Sequence, residues 1–315
     1  MATTSESSVS LRRNGAIAFR RFLDPNRSVG AIFIAAPDGS GERQLTRPPA
    51  KASDDFPDVA PDGSFVAFQR CRTSCGIYVV RSDGTGLRRI DRARGCAGGR
   101  TPPRCDDDIG PAISPDGTRV AYTRQFGRVR RGEIAHTGIY TARLDGSDLR
   151  RVTLPPSYSA EDVEPQWSPD GRRIVFVRHD VTLAPRGRQA VFVVNADGTD
   201  LRRITSYSIK AGDGPDWSPD GSQILFRSPQ TEDFSHSNIW TVHPDGTGLR
   251  QVTHAGPGVR VFSASFSPDG TQITVGMSGI AGNADVYRMA VDGSQLAAVT
   301  RTAAPDSAPD WGAAV

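Results

Sequence analysis

A turn of the form Ser/Ala-Pro-Asp-Gly recurs along this chain, at Ala60–Gly63, Ser114–Gly117, Ser168–Gly171, Ser218–Gly221 and Ser267–Gly270. Proline fixes φ at the first central position. Aspartate suits the second, and glycine supplies the positive φ that returns the chain. The clearest copy runs from Asp162 to Arg178 and reads as a short strand ending at Trp167, the turn, and a second strand. A chain that repeats one hairpin at regular intervals is committed to a repeat architecture.

A second hairpin interleaves with the first. An apolar strand leads to an Asp-Gly turn and then to Leu-Arg-Arg-Ile-Thr or a close variant. Its six turns are Asp38-Gly39, Asp83-Gly84, Asp145-Gly146, Asp197-Gly198, Asp245-Gly246 and Asp292-Gly293. Asp-Gly between alternating strands is a strong hairpin signal. Each unit therefore holds four antiparallel strands, A to D. Six units follow one another at a spacing of roughly fifty residues, the range of propeller blades. No segment sustains a helical period.

The two ends complement each other. Asp306 to Gly312 matches Asp162 to Ser168 and is a strand A with no strand B after it; Asn14 to Phe19 reads as a strand B with no strand A before it. The C-terminal strand is expected to complete the first blade from the inside, which removes the open edges of a linear array. The expectation is an all-β, six-bladed β-propeller spanning 14–315, with blade 1 shared by 14–47 and 306–312 and with 1–13 as a flexible tail.

These Trp-Ser-Pro-Asp-Gly copies resemble the TolB-like propeller repeats, over residues 15 to 312. The resemblance implies a six-bladed propeller whose repeats form platforms for protein or ligand binding. TolB carries an N-terminal α/β domain before its propeller, for which this chain has no room. Similar propellers cap prolyl-oligopeptidase-type peptidases, but the chain holds no Gly-x-Ser-x-Gly nucleophile motif.

Composition narrows the partners. The 315 residues carry a net charge of only +3, too little to argue for nucleic acid or an anionic membrane. No apolar run approaches the ~20 residues of a membrane helix. Met1 to Ser10 is polar and lacks a signal-peptide core. Cys71, Cys75, Cys96 and Cys105 sit close together and fit two disulfides, the local pairing being Cys71–Cys75 and Cys96–Cys105; a zinc site is the rival. Disulfides favour a periplasmic or extracellular site, reached through a leader trimmed from this sequence; without one the expectation is cytoplasmic.

Alternation puts the short, uniform A–B and C–D turns on one face and the variable B–C and D–A loops on the other. Function sits more often on variable loops over a rigid scaffold. Asp162 stands five residues before Trp167 on that face, and Asp54, Asp108 and Asp306 are its equivalents; blade 5 has Gly212 and Asp213 there, and blade 6 has Val261. Two readings apply to these carboxylates. They ligate a hard cation such as calcium, or each accepts hydrogen bonds from its own loop. Arg21, Arg70, Arg124 and Arg178 end strand B in blades 1 to 4, and Arg128, Arg130, Arg131, Arg186 and Arg188 follow in the loops. They select an acidic ligand through bidentate contacts, or they pair with the aspartates of the same face. His136, His179, His236 and His254 also map there, without any metal-protease spacing.

The reading that follows is a monomeric, non-enzymatic binding propeller with no required cofactor. It recognises a protein or peptide segment, or an acidic small ligand or glycan, through Arg70, Arg124, Arg178, Asp54, Asp108, Asp162 and Asp306, with calcium as the candidate ion at the four aspartates. The alternative is a metal-assisted polysaccharide hydrolase or lyase using His136, His179, His236 and His254.

Overall fold

The computed structural model describes residues 12–91, 106–126, 137–157, 160–180, 188–212, 214–228, 237–279 and 283–315. Cys96, Cys105, Arg128, Arg130, Arg131, Arg186, Asp213, His136 and His236 lie outside these, as does the side chain of Arg188.

Six four-stranded antiparallel sheets form the expected ring. Strands A to D of blade 2 are Ser53–Val59, Phe65–Cys71, Cys75–Arg81 and Arg88–Arg89. Those of blade 3 are Asp106–Ile113, Arg119–Phe126, Gly138–Arg143 and Arg150–Arg151; those of blade 4 are Ala160–Trp167, Arg173–Asp180, Arg188–Asn195 and Arg202–Arg203. Blade 5 comprises Asp216–Trp217, Ile224–Ser228, Asn238–Val242 and Arg250–Gln251, and blade 6 Arg260–Phe266, Gln272–Ser278, Ala284–Ala290 and Ala297–Ala298. Blade 1 is closed as the ends imply. Its inner strand is Asp306–Ala313, which pairs antiparallel with Asn14–Phe22, and Gly30–Ala35 and Arg43–Gln44 complete it. Among the described residues the only helical piece is a short 3-10 turn, Tyr207–Ile209, and no helix is long and apolar enough to cross a membrane.

The turn chemistry works as the sequence implies. Gly171 N–H bonds the Ser168 carbonyl at 2.8 Å with φ of 69°. Ser168 Oγ accepts from Arg173 N at 2.9 Å and donates to Asp170 Oδ1 at 2.5 Å. The Leu-Arg-Arg-Ile-Thr stretch divides differently from simple alternation. Leu87, Leu149, Leu201, Leu249 and Leu296 precede the paired residues of strand D and are exposed, whereas Ile90, Val152, Ile204, Val252 and Val299 are the buried members. Strand D pairs over only two residues, so the apolar anchor comes after the pair. The threonine that follows accepts from strand C, as in Val191 N to Thr205 Oγ1 at 2.9 Å; blade 2 uses Asp91 in that role, with Ile77 N at 2.9 Å.

The core lies between blades. Trp167 packs with Ala112, Ala121 and Ile139 of blade 3, and Trp217 with Val175, Val191 and Val193 of blade 4. Phe266 meets Leu225 of blade 5, and Trp311 meets Val286 of blade 6. The aromatic that ends strand A is therefore a wedge, and burial of such surfaces on both sides of each blade drives ring formation.

Candidate binding site at the channel mouth

Strand A lines the central channel, and it is bulged. The register slips between Asp55 and Asp58, Ile109 and Ala112, Val163 and Gln166, and Val261 and Ala264, and again where Ser307 to Asp310 faces Arg20 and Ala18. Within these bulges Phe56, Gly110, Glu164 and Ala308 adopt positive φ of 49°, 58°, 53° and 50°, and Gly214 takes 73° at the same place in blade 5. A proline follows each: Pro57, Pro111, Pro165, Pro215 and Pro309. Proline donates no ladder bond and is tolerated at a bulge. A left-handed conformation costs a non-glycine residue about 1–3 kcal/mol, and such outliers cluster at functional sites. Phe56, Glu164 and Ala308 bear that cost at one end of one channel.

The bulges frame a cavity of about 270 Å³ on the B–C/D–A face. Its wall includes Phe22, Phe56 and Phe262, a collar of prolines, and the cations Arg20, Arg27 and Arg227. Arg20 lies over the Phe22 ring at 4.3 Å, bonds Ser307 Oγ at 3.1 Å and pairs with Asp55. Burial pushes the Asp55 carboxyl up, against the opposing pull of Arg20. Glu164 accepts from Gly214 N of the next blade, and its own N–H bonds Thr123 Oγ1 at 3.1 Å. Gly110 N bonds Gln69 Oε1 at 3.0 Å. The bulges of blades 3, 4 and 5 are thus tied to the preceding blade, and Phe56 stays 36% exposed.

The expected aspartates and arginines sit behind this wall and face each other. They are cross-strand neighbours: Asp54 opposite Arg70, Asp108 opposite Arg124, Asp162 opposite Arg178 and Asp306 opposite Arg21. All four carboxylates are fully buried. Arg124 donates from Nε and Nη2 to Asp108 at 2.7 Å each, and Arg70 to Asp54 at 2.6 and 2.8 Å. Arg21 makes the same fork to Asp306 at 2.7 and 2.8 Å and also bonds Glu42. Each guanidinium covers aromatic rings of strands B and C, as Arg124 does over Tyr122 and Tyr140. These forks and ring contacts fit the reading in which arginine and aspartate of the same face pair with each other. The residues that front the cavity, Phe56 and Arg20 above all, were not singled out from the sequence. The signal was there: a non-glycine residue before proline in the middle of a strand.

Other candidates separate. Cys71 and Cys75 form a disulfide across the B–C hairpin of blade 2, and Cys75 N bonds Asp107 Oδ1 of blade 3 at 2.9 Å. His179 is the last but one residue of strand B of blade 4, opposite Glu161, and His254 is exposed on the loop after strand D of blade 5. Among the described residues no group of three or more His, Cys, Asp or Glu side chains is placed to hold a metal ion, so Asp54, Asp108, Asp162 and Asp306 gain no support as a calcium site.

No protein-family model matches the chain. A curated relative named as a TolB homolog from Chlorobium luteolum is 29% identical over 207 residues, covering 55% of this chain and 42% of that protein. The crystal structure of TolB from Acinetobacter baumannii superposes with a TM-score of 0.69 at 18% identity, over 94% of this chain and 66% of that one. The putative TolB from Agrobacterium tumefaciens gives 0.62 at 20%, over 92% and 90%. The chain folds as a β-propeller similar to that of TolB. It matches less than half the length of its curated TolB relatives. Within the TolB-like ring, blades 1 to 4 carry the Asp–Arg fork, and blade 5 has Arg227 with Gly212 in the aspartate's place, the Gly212 N–H bonding the Arg227 carbonyl at 2.6 Å.

Proposed function

We propose that this TolB-like propeller is a non-enzymatic binding module that captures an extended protein segment at the B–C/D–A mouth of its channel. The observation that carries the reading is the ring of left-handed bulges, which holds an exposed Phe56 beside Phe22, Phe262 and three arginines around one cavity. Rigid aromatic surface with cations at its rim suits a peptide that brings an apolar side chain and a carboxylate. The buried Asp–Arg forks act as the frame that fixes the bulges. The TolB-like fold supports a protein partner, and the Cys71–Cys75 disulfide supports a periplasmic or extracellular setting.

The test is a random dodecapeptide display library panned on the purified protein, with the recovered peptides titrated by calorimetry. Peptides that bind the wild type and lose about tenfold or more on Phe56→Ala, the loss expected for truncating an aromatic anchor, support the reading. Peptides that bind both proteins equally place the site elsewhere. Metal-dependent turnover of an acidic glycan by the purified protein would replace the binding reading with the lyase or hydrolase one.

A further inference from the structure

Below the mouth comes the residue before the terminal hydrophobe of each strand A, which is Asp58, Gln166, Asp216, Ser265 and Asp310 in blades 2, 4, 5, 6 and 1, and the core residue Ala112 in blade 3. Gln166, Asp216, Ser265 and Asp310 border both the mouth cavity and a second cavity of about 580 Å³ on the turn face. This level is therefore the waist.

The three carboxylates at this waist tie the blades together. Asp310 of blade 1 accepts from Val59 N of blade 2 at 2.7 Å, and Asp58 of blade 2 accepts from Ile113 N of blade 3 at 2.7 Å. Asp216 of blade 5 accepts from Phe266 N of blade 6 at 2.8 Å. Ser265 Oγ of blade 6 donates to Asp310 at 2.9 Å, which links blade 6 back to the closing strand. Gln166 Nε2 of blade 4 crosses the channel to Asp58 at 3.1 Å. All six blades are joined through three acids.

Among the described residues none of the three acids has a salt-bridge partner, in contrast to the four forks behind the wall. The charged groups of the mouth cavity above the waist are Arg20, Arg27, Asp55, Glu164 and Arg227, and Arg12 stands at the opposite mouth. Arg20 is engaged by Asp55, and Arg12 donates to the Pro61 carbonyl.

We propose that Asp58, Asp216 and Asp310 form a proton-controlled clasp that sets how tightly the ring is closed. Asp58 is buried, and Asp216 and Asp310 are half-buried in the confined channel; a carboxyl so placed without a cation beside it holds its proton to higher pH than a solvated one. Burial, and next to it the charge of Asp310, hold Asp58 well above the usual carboxylate range and Asp216 at about 7. Burial likewise raises Asp310, against its bonds from Val59, Ser265 and Trp311. The three titrate as a coupled set rather than as separate sites. With protons on, the acids still accept the backbone bonds and carry no mutual repulsion. With protons lost, like charges crowd one level of the channel, and the junctions of blade 1 with blades 2 and 6 bear the strain. The folded state binds more protons than the unfolded chain between the ordinary aspartate range and neutrality, so this stabilisation is lost as pH rises from ~4 to ~7.

Protein labelled with ¹³C at the aspartate carboxyls, followed by NMR from pH 4 to 9, reads the clasp directly in the wild type. The expected result is a set of resonances still titrating above pH 5, altered by Asp216→Asn and by Asp310→Ser, the latter copying blade 6. If every carboxyl resonance has finished titrating by pH 5, the proposal is wrong. A second reading needs no variant: the unfolding equilibrium constant should rise about tenfold or more between pH 5 and pH 8, with amide exchange at Val59, Ile113 and Phe266 rising beyond the ordinary base-catalysed increase. A stability profile that is flat over this interval overturns it as well.

Discussion

Arg178 forks onto Asp162 across blade 4, with Nε 2.5 Å and Nη2 2.8 Å from the two carboxylate oxygens, and lies 4.8 Å over the Phe192 ring. The carboxylate is fully buried and the guanidinium nearly so. Removing one partner of such a pair leaves an uncompensated charge, at a cost of about 3–5 kcal/mol. Arg178→Met is expected to lower the unfolding free energy read from urea curves by that amount, and Arg178→Met with Asp162→Leu to recover most of it. A ligand-only role for Arg178 predicts unchanged stability in the single variant, so the two are separated by one denaturation curve.

Trp167 and Trp217 occupy equivalent wedges but differ in one bond. Trp167 Nε1 donates to the Ala112 carbonyl at 3.2 Å, whereas Trp217 Nε1 is buried without a hydrogen-bond partner. Trp167→Phe removes a satisfied bond, while Trp217→Phe removes an unsatisfied donor. The difference is expected to be about 1 kcal/mol, with Trp167→Phe the more costly. Equal losses in thermal unfolding would mean that the Trp217 donor finds a partner in solution.

The architecture was legible because it is written in turn residues. Pro-Asp-Gly and Asp-Gly force hairpins whatever surrounds them, and unmatched strands at the two ends give the closure. The forks were half legible: Asp162 and Arg178 were placed on one face, but only register shows them opposite each other and mutually satisfied. The mouth and waist were not. Asp58, Asp216 and Asp310 sit among other acids in sequence, and their isolation from cations is a property of the closed ring. Phe56 reads as an ordinary strand residue until its φ is known.

The Cys71–Cys75 bridge closes a loop of three residues in a hairpin already paired through Arg70 and Gly76. So short a loop restricts the unfolded chain little. In the chain-entropy account Cys71→Ser with Cys75→Ser costs about 2 kcal/mol or less. The blade 2 hairpin should persist, with amide exchange at Ile77 and Gln69 still slow. Global unfolding of the double variant at ambient temperature would assign the bridge a larger role than loop closure.

The bulges give the last test, because two blades already use the unstrained solution. Gly110 and Gly214 stand where blades 1, 2 and 4 have Ala308, Phe56 and Glu164. A Cβ built on Gly110 meets nothing closer than the Glu164 Cα at 3.8 Å, so Gly110→Ala adds backbone strain without a clash. It should cost about 1 kcal/mol, and Ala308→Gly should stabilise by about 0.5–1 kcal/mol, less than the full strain because glycine also frees the unfolded chain. Urea midpoints of the two variants must therefore move in opposite directions. If both fall, the left-handed conformation is not what the closed ring imposes at the mouth, and the frame for Phe56 has to be sought in the side-chain bonds between blades.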